Sequence, residues 1–272
     1  LSIGRFTGSF CLILSLDTPQ GATDARFFWV MRDPENMPGT VLGGRYQLDQ
    51  ARGEATQSAS GATQFDATDL SSHEEVSVRV VPLSRLVDPA LGSTTPADAQ
   101  SAFEQQADIA SSLRHPCIET VLDHGEAILD GEKYVYVVGE RLSGGSLREF
   151  LDRGRRLTPS QALIVGVDVC RALDAAAKVG ITHGDLRPSR LVFGLDKRVR
   201  LVGFGAPLKT LDSLGLEQAI YSAPELAEGG ARGASSDIYS LALILIEAMT
   251  GDVPFTADTV AAAFTNRAGK LL

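Results

Sequence analysis

Alternating apolar and polar positions predict a strand-rich first half of the chain. Within it, the segments with the period of a strand are Arg45 to Gln50, Thr63 to Thr68, Glu75 to Val81, Cys117 to Asp123 and Lys133 to Glu140. One long helix, from about Ala97 to Leu113, interrupts them. Its predicted apolar face consists of Ala102, Phe103, Ala107, Ile109, Ala110 and Leu113. Residues 45–140 are therefore predicted to form a mostly antiparallel sheet with one helix.

After Ser143-Gly144-Gly145 the pattern becomes helical. Thr158 to Gln161 has the sequence of a capping box with proline at the first helical position. Asp237 to Thr250 is nearly all apolar, which predicts a helix buried on all sides. The positions that follow the capping box at helical spacing, up to Gly180, are Leu163, Val167, Cys170, Leu173 or Asp174, and Ala177.

Two short strands are predicted inside this helical half, at Arg190 to Phe193 and Val199 to Val202, on either side of a turn at Asp196-Lys197. A strand-rich half followed by a helix-rich half is the arrangement of an α+β fold.

Composition narrows the class of protein. A chain of 272 residues with 44% hydrophobic and 22% charged residues is typical of a globular protein. A net charge of −9 argues against nucleic acid as a partner. The three scattered cysteines fit no metal-binding spacing and are expected to be thiols in a reducing cytoplasm. No apolar run approaches the roughly 18 residues of a membrane-spanning helix.

Residues 1–36 show no clear periodicity. They are interpreted as a disordered leader or as mistranslated upstream sequence, since Met31 and Met37 are both plausible starts. Residues 37–142 are then a first lobe and residues 143–272 a second lobe. The second lobe is expected to be incomplete, because the sequence stops soon after an apolar helix.

Two motifs resemble those of the Ser/Thr protein kinase family. Ile181 to Arg190 resembles the catalytic loop, and Leu201 to Gly205 resembles the metal-binding Asp-Phe-Gly loop. Further segments in the family's order are Leu42 to Tyr46, Arg114 to Pro116, Gly144 to Leu147, Ala223 to Glu225 and Ser236 to Ser240. The resemblance is to the bacterial members. It implies a bilobal kinase-like fold, with an antiparallel sheet and one helix in the N-lobe and a helical C-lobe.

The resemblance also assigns the positions of the site. Asp185 matches the catalytic base, the only matching catalytic residue, and His183 matches a structural histidine. Glu140 and Leu142 match the hinge, and Gly139 precedes them at the gatekeeper position, where a glycine leaves either an open back pocket or a distorted backbone. At the nucleotide and metal positions the family's residues are replaced by Arg79, Gln106, Arg187, Arg190 and Gly203.

These replacements remove chemistry that phosphoryl transfer requires. Gly203 stands where the magnesium-binding aspartate belongs, and Arg190 where the second metal ligand belongs. Phosphoryl transfer depends on metal ions and positioning, so no metal site is predicted. Arg52 to Thr63 lacks the spacing of a phosphate-binding glycine loop. No cofactor is expected, although the cleft arginines leave binding of ATP without magnesium open.

Residues that hold the fold of the family together are retained. Phe204 and His183 are expected to stack on each other, and Asp237 to accept hydrogen bonds from the backbone of the catalytic loop. Glu225 would pair with an arginine of a later helix that this chain does not reach. Loss of such buried anchors costs several kcal/mol, so their presence indicates that the shape is still required.

Three functions follow from the resemblance. The first is a catalytically inactive pseudokinase that acts as a cytoplasmic scaffold or regulatory module, with an active kinase or a phosphopeptide-binding protein as partner and with no role for nucleic acid. A membrane anchor outside this chain is compatible with it. The second is a divergent Ser/Thr kinase that uses Asp185 as base. The third is a metal-independent nucleotide switch that uses Arg79, Arg187 and Arg190 as counter-charges.

Overall fold

A six-stranded antiparallel sheet makes up most of the first half of the chain. The computed structural model describes residues 37–52, 62–87, 95–204, 215–228 and 233–266, and the backbone of three earlier strands. The strands of the large sheet are β4 (Val41–Leu42), β5 (Tyr46–Arg52), β6 (Thr63–Asp69), β7 (Glu75–Pro82), β8 (Val121–Leu129) and β9 (Glu132–Glu140). Their order in space is β4-β5-β6-β7-β9-β8. Strand β7 is therefore central, with Arg79 opposite Gln64 on one side and Val137 on the other.

Four of the five predicted strands are confirmed, and the fifth begins later than the alternation suggested. Residues 117–120 precede β8 and pair with another part of the chain. Leu201 donates its backbone amide to Cys117, and Glu119 donates its own to Leu201. These bonds hold residues 117–119 to Leu201, whereas the Thr120 carbonyl already accepts from the Glu140 amide of β9. Strand β8 therefore starts only at Val121.

Helix α1 (Pro96–Ser112) packs against β8 and β9. Thr95 and Asp98 form a capping box at its start, and Pro96 occupies the first helical position. Ala99, Phe103, Ala107 and Ala110 are its buried residues, whereas the predicted face also included Ala102, which is exposed. The helix itself is confirmed, with a face slightly displaced.

The second half is mainly helical. It contains α2 (Leu147–Asp152), α3 (Pro159–Ala177), β10 (Leu191–Phe193), β11 (Val199–Leu201), α4 (Leu216–Tyr221), α5 (Ala234–Thr250) and α6 (Val260–Thr265). The predicted capping box of α3 is confirmed, because Thr158 and Gln161 exchange side-chain and backbone hydrogen bonds. Together the sheet and the helices give the expected α+β fold with an antiparallel N-lobe and a helical C-lobe.

Two predictions about helix burial were wrong. On α3, Leu163 is 69% exposed and Val167 is 41% exposed. Small residues form the buried side instead, because they allow the close approach of α5: Ala162, Ala172 and Ala176, with Val165 and Val169 between them. On α5, Ile238 and Met249 are exposed, so this helix is not buried on all sides.

Among the described residues, the apolar core has two main clusters, beside a third and much smaller one of Ala219, Ala263 and Phe264. The larger cluster joins Phe103 of α1 to Leu147 and Ile244 of the helical half. The smaller one, which includes Leu48, Phe65 and Val78, lies within the sheet. Among the helices that the structure describes, none has the length and apolar character needed to cross a bilayer.

Residues 1–36 contain backbone pairing that their sequence did not predict. β1 (Arg5–Phe6), β2 (Ser9–Asp17) and β3 (Thr23–Trp29) form a separate antiparallel sheet. The apolar run in β2 lies opposite the aromatic residues of β3, with Ile13 paired to Phe27. The interpretation of residues 1–36 as a leader or mistranslated sequence and the lobe boundary at residues 142 and 143 both stay predictions.

Candidate functional site

The catalytic-loop segment is held from below by α5. Asp237 accepts hydrogen bonds from the backbone amides of His183 and Gly184, both at 2.9 Å. The His183 Nε2 donates to the Val202 carbonyl at 3.1 Å, and its ring makes an edge contact with Phe204 at 4.9 Å between centroids. Burial lowers the pKa of His183, which keeps the imidazole neutral. The stacking expected of His183 and Phe204 and the hydrogen bonds expected of Asp237 are present.

Asp185, the candidate base, is enclosed by hydrogen-bond donors. Its Oδ2 accepts from Arg190 Nε at 3.0 Å and Nη2 at 2.6 Å. Its Oδ1 accepts from the Gln218 side-chain amide at 2.7 Å and lies 3.3 Å from Arg187 Nε. Burial raises the pKa of Asp185, but the charges of Arg190 and Arg187 outweigh it and hold the pKa well below its usual range. The side chain is an ionised partner of two arginines.

The guanidinium of Arg190 fills the space beside Gly203. Gly203 has φ of +103°, and a Cβ atom built on it would lie 3.2 Å from Arg190 Nη1 and 3.3 Å from Arg190 Cζ. The structure therefore brings three of the predicted site residues together as a carboxylate, a guanidinium and a bare glycine backbone.

This set of residues does not fit a magnesium ion. Magnesium requires oxygen ligands, and Gly203 supplies no side chain, whereas Arg190 places a positive charge beside the remaining carboxylate. Within the described ranges, no group of three or more His, Cys, Asp or Glu side chains is placed to hold a metal. In this arrangement the guanidinium of Arg190 is paired with the Asp185 carboxylate.

Arg79 finds its carboxylate partner outside α1. Gln106, the residue at the family's partner position, lies half-buried on α1, while Arg79 Nη2 lies 4.0 Å from Glu119 Oε2. Both side chains are about nine-tenths buried. Burial raises the pKa of Glu119, which Arg79 and the Gly203 amide oppose, and burial lowers the pKa of Arg79 to about 10. The carboxylate within ion-pairing distance of Arg79 is therefore that of Glu119.

Glu119 was missed by sequence reasoning. It precedes β8 in an apolar stretch, and 40 positions separate it from Arg79. A single charged residue in an otherwise buried segment was the available signal, since glutamate is almost never buried unless it is paired.

The Glu119 side chain also lies against Gly139, the residue at the gatekeeper position. A Cβ atom on Gly139 would lie 2.5 Å from Glu119 Oε1. The Glu119 carboxylate occupies the space beside Gly139, which leaves less room for the open back pocket that was one of the two alternatives for this glycine. In the hinge, Glu140 accepts the Thr120 amide at 2.9 Å through Oε1, and Leu142 is buried.

Helix α4 contributes two further residues that the sequence did not single out. Glu217 accepts hydrogen bonds from Arg187 and from Ser189 Oγ, the latter at 3.1 Å. The neighbouring Gln218 reaches Asp185. Residues 205–214, which precede this helix, and residues 53–61, most of the segment at the position of the family's glycine loop, lie outside the described residues.

Comparison with known proteins identifies the family. The protein kinase domain matches residues 90–271. The chain is 32% identical to a probable serine/threonine-protein kinase of Streptomyces coelicolor over 82% of its own length and 33% of that protein. It is also 32% identical to the serine/threonine-protein kinase PknB of Mycobacterium leprae, over 71% of this chain and 31% of that protein.

A similar match, at 30% identity, is found with a probable PknB of Corynebacterium glutamicum, over 80% of this chain and 33% of that protein. The chain spans about a third of the length of these relatives. The family match covers more than half of the chain, and the ordered motifs and the fold agree with it. This chain therefore belongs to the protein kinase family and is related to its bacterial serine/threonine members.

Proposed function

We propose that this chain is a pseudokinase, a kinase-fold module that binds protein partners without transferring phosphate. The observation that carries the proposal is the position of Arg190. Its guanidinium donates a hydrogen bond to the Asp185 carboxylate and lies against Gly203. It therefore fills the space in which a metal ion would have to bind. Without a metal ion, the largest source of transition-state stabilisation for phosphoryl transfer is missing.

The charge balance of the cleft supports the same proposal. Three buried or nearly buried arginines are matched by three carboxylates, in the pairs Arg79–Glu119, Arg190–Asp185 and Arg187–Glu217. A nucleotide phosphate would have to displace carboxylates from these arginines, and two of the three, Glu119 and Asp185, are largely buried. The arginine cluster is therefore a poor receptor for nucleotide, which counts against the metal-independent switch.

The retained anchors support a role for the shape. Asp237, His183 and Phe204 still hold the catalytic loop, and Ser236 donates to Glu225 of the Ala-Pro-Glu segment at 2.7 Å. These contacts stabilise the fold and do not themselves move a phosphate. A scaffold that recruits or restrains a partner, such as an active kinase or a phosphopeptide-binding protein, depends on these contacts because they maintain its shape.

The test is a nucleotide and phosphotransfer titration of the chain. Wild-type protein is expected to show no thermal shift with ATP, with or without Mg²⁺ or Mn²⁺, and no phosphate transfer to itself or to a generic substrate. Ligand that binds only the folded state at 100 times its Kd would add about 2.7 kcal/mol of stability. The double variant Arg190→Asn/Gly203→Asp supplies oxygen ligands, so a shift with Mn²⁺ in this variant alone supports the metal argument.

A metal-dependent shift or phosphate transfer by the wild-type chain would refute the pseudokinase. A shift with ATP alone would instead support the nucleotide switch.

The second candidate is a divergent Ser/Thr kinase. It is favoured by the names of the relatives, which are serine/threonine-protein kinases, and by the retention of Asp185 in its loop. If wild-type protein transfers phosphate, Asp185→Asn should abolish the transfer, because a hydroxyl acceptor must lose its proton to a base. Transfer that survives this substitution would come from another source.

A further inference from the structure

The Glu119 side chain connects the N-lobe with the C-lobe inside the cleft. Its Oε2 lies 4.0 Å from Arg79 Nη2 of β7 in the sheet. The same carboxylate accepts a hydrogen bond from the backbone amide of Gly203, in the loop after β11. The backbone follows this course, since the Glu119 amide donates to the Leu201 carbonyl at 3.0 Å. One buried side chain therefore contacts an element of each lobe.

Two arginines, one from each lobe, act on this carboxylate. Arg79 belongs to the N-lobe, whereas Arg190 lies against Gly203 in the C-lobe. The pKa of Arg79 is lowered to about 10, first by burial and then by the positive charge of Arg190, so the two guanidiniums repel each other across the cleft. The charges of both arginines oppose the rise that burial causes in the pKa of Glu119. The Glu119 carboxylate therefore offsets the repulsion between the lobes.

The hinge carries a second and weaker link between the lobes. Glu140 Oε1 accepts the Thr120 amide and lies 3.9 Å from Arg200 Nε of β11. The Glu140 side chain is 33% exposed, whereas that of Glu119 is 9% exposed. Ion pairs in contact with water contribute little stability, whereas loss of one partner from a buried pair is strongly destabilising. Glu119 therefore contributes more than Glu140 to the contact between the lobes.

We propose that Glu119 locks the two lobes in one orientation, because its buried charge holds Arg79 of the N-lobe beside Gly203 and Arg190 of the C-lobe. The lock consists of side chains of this chain alone. A protein partner therefore meets one rigid surface made of both lobes, rather than two lobes that move relative to each other. The inference goes beyond the proposed function, since it concerns the orientation of the lobes and not the transfer of phosphate.

Glu119→Gln tests the role of the charge with little change in shape. The glutamine keeps an oxygen that accepts the Gly203 amide, but the repulsion between Arg79 and Arg190 is no longer offset. We expect the lobes to move apart, because the buried Arg79 then lacks its carboxylate. Arg79→Met in addition to Glu119→Gln removes one of the two like charges, so this double variant should close again.

Double electron–electron resonance between two spin labels measures the distance between the lobes. The labels are placed by Ser101→Cys on α1, which packs against the sheet, and by Ser160→Cys on α3, which packs against α5; both serines are exposed. The background carries Cys11→Ser and Cys170→Ser, and the remaining thiol, that of Cys117, is buried. The unsubstituted lobes should give one narrow distance distribution. Glu119→Gln should broaden it and shift its mean by several ångströms.

Glu126→Gln is the matched control and should leave the distribution unchanged, because Glu126 pairs with Lys133 on the surface of the sheet. An unchanged distribution in Glu119→Gln would overturn the lock. A broad distribution in Arg79→Met/Glu119→Gln as well would also overturn it, since lost packing and not charge would then be the cause.

The fold of the variants is checked by circular dichroism. If Glu119→Gln does not fold but Arg79→Met/Glu119→Gln does, the unbalanced charge is responsible, which supports the lock; failure of both overturns it. The distance measurement contains no nucleotide. A wild-type chain that transfers phosphate would therefore refute the pseudokinase and leave this result standing.

Discussion

Asp185 shows how two neighbours change the chemistry of one conserved-looking side chain. In the site it is an ionised carboxylate held between Arg190 and Arg187, with its pKa well below the usual range. Such a group stabilises the fold in its charged form, and a weak affinity for protons makes it a poor acceptor of one. The residue that most resembles a catalytic base is therefore best described as half of a buried ion pair.

This ion pair makes a prediction about pH. Because the folded-state pKa is lowered, the unfolded chain takes up the proton first as pH falls, and the stability that Asp185 contributes is lost below about pH 4 to 5. Wild type should exceed Asp185→Asn in free energy of unfolding at pH 7, and the difference should shrink towards pH 3. Urea titrations at several pH values measure it. A difference that stays constant with pH would contradict the assignment.

Gly139 gives a second prediction at this scale. Gly139→Ala places a methyl group against Glu119, so we expect a loss of about 1–3 kcal/mol from overpacking. Urea denaturation of the two single variants and of Gly139→Ala/Glu119→Ala completes a double-mutant cycle. The alanine should cost less in the Glu119→Ala background. Equal costs in both backgrounds would show that the two residues do not touch.

The residues of the site were predictable to different degrees. Asp237 and His183 were placed correctly because their roles follow from the resemblance to an established loop. Glu119 was not predicted as a site residue. Its pairing with Arg79 depends on the path of the chain before β8, which no regular spacing of residues in the sequence indicates. Matching each position to a family motif does not find a side chain that takes over a partner's role from another part of the fold.

Helix α3 separates two kinds of leucine on one element. Leu173 is 7% exposed in the main cluster, whereas Leu163 is 69% exposed. We expect Leu173→Ala to cost about 2–5 kcal/mol and Leu163→Ala to stay within about 0.5 kcal/mol. Chemical denaturation of both variants makes the comparison, with the same atoms removed from the same helix. Similar losses would mean that the buried side has been assigned incorrectly.

The elements themselves followed from the sequence better than their faces did. The capping box at Thr158 predicted the start of α3, because a threonine with a matching residue three positions on satisfies free amides. The buried side of α3 was misjudged because alanines carry little hydrophobic weight in a pattern, although they permit close contact between helices. The segment before β8 was misjudged because alternation does not say which strand a residue pairs with.

The molecule as a whole is joined by its larger apolar cluster. Phe103 of α1 and Leu147 and Ile244 of the helical half belong to the same cluster. Phe103→Ala should therefore cost about 3–5 kcal/mol and lower the unfolding midpoint of both halves together. Circular dichroism, with hydrogen exchange read separately for α1 and α5, follows the two halves during urea unfolding. Two separate transitions would contradict a shared core.

At this scale the sequence was most informative. Several family motifs occur in the right order from Leu42 onward, and ordered motifs specify a fold more strongly than any one of them. The α+β architecture and the family membership followed from them. Local period alone would have suggested only a sheet followed by helices.

The contact between Glu119 and Gly139 also constrains how this chain can change over generations. A larger residue at 139 collides with Glu119, and an apolar residue at 119 leaves the buried Arg79 without its carboxylate. Each of these single substitutions therefore lowers stability until a second one compensates for it. We expect residues 79, 119 and 139 to change together among descendants of this sequence, because single substitutions at these positions are destabilising.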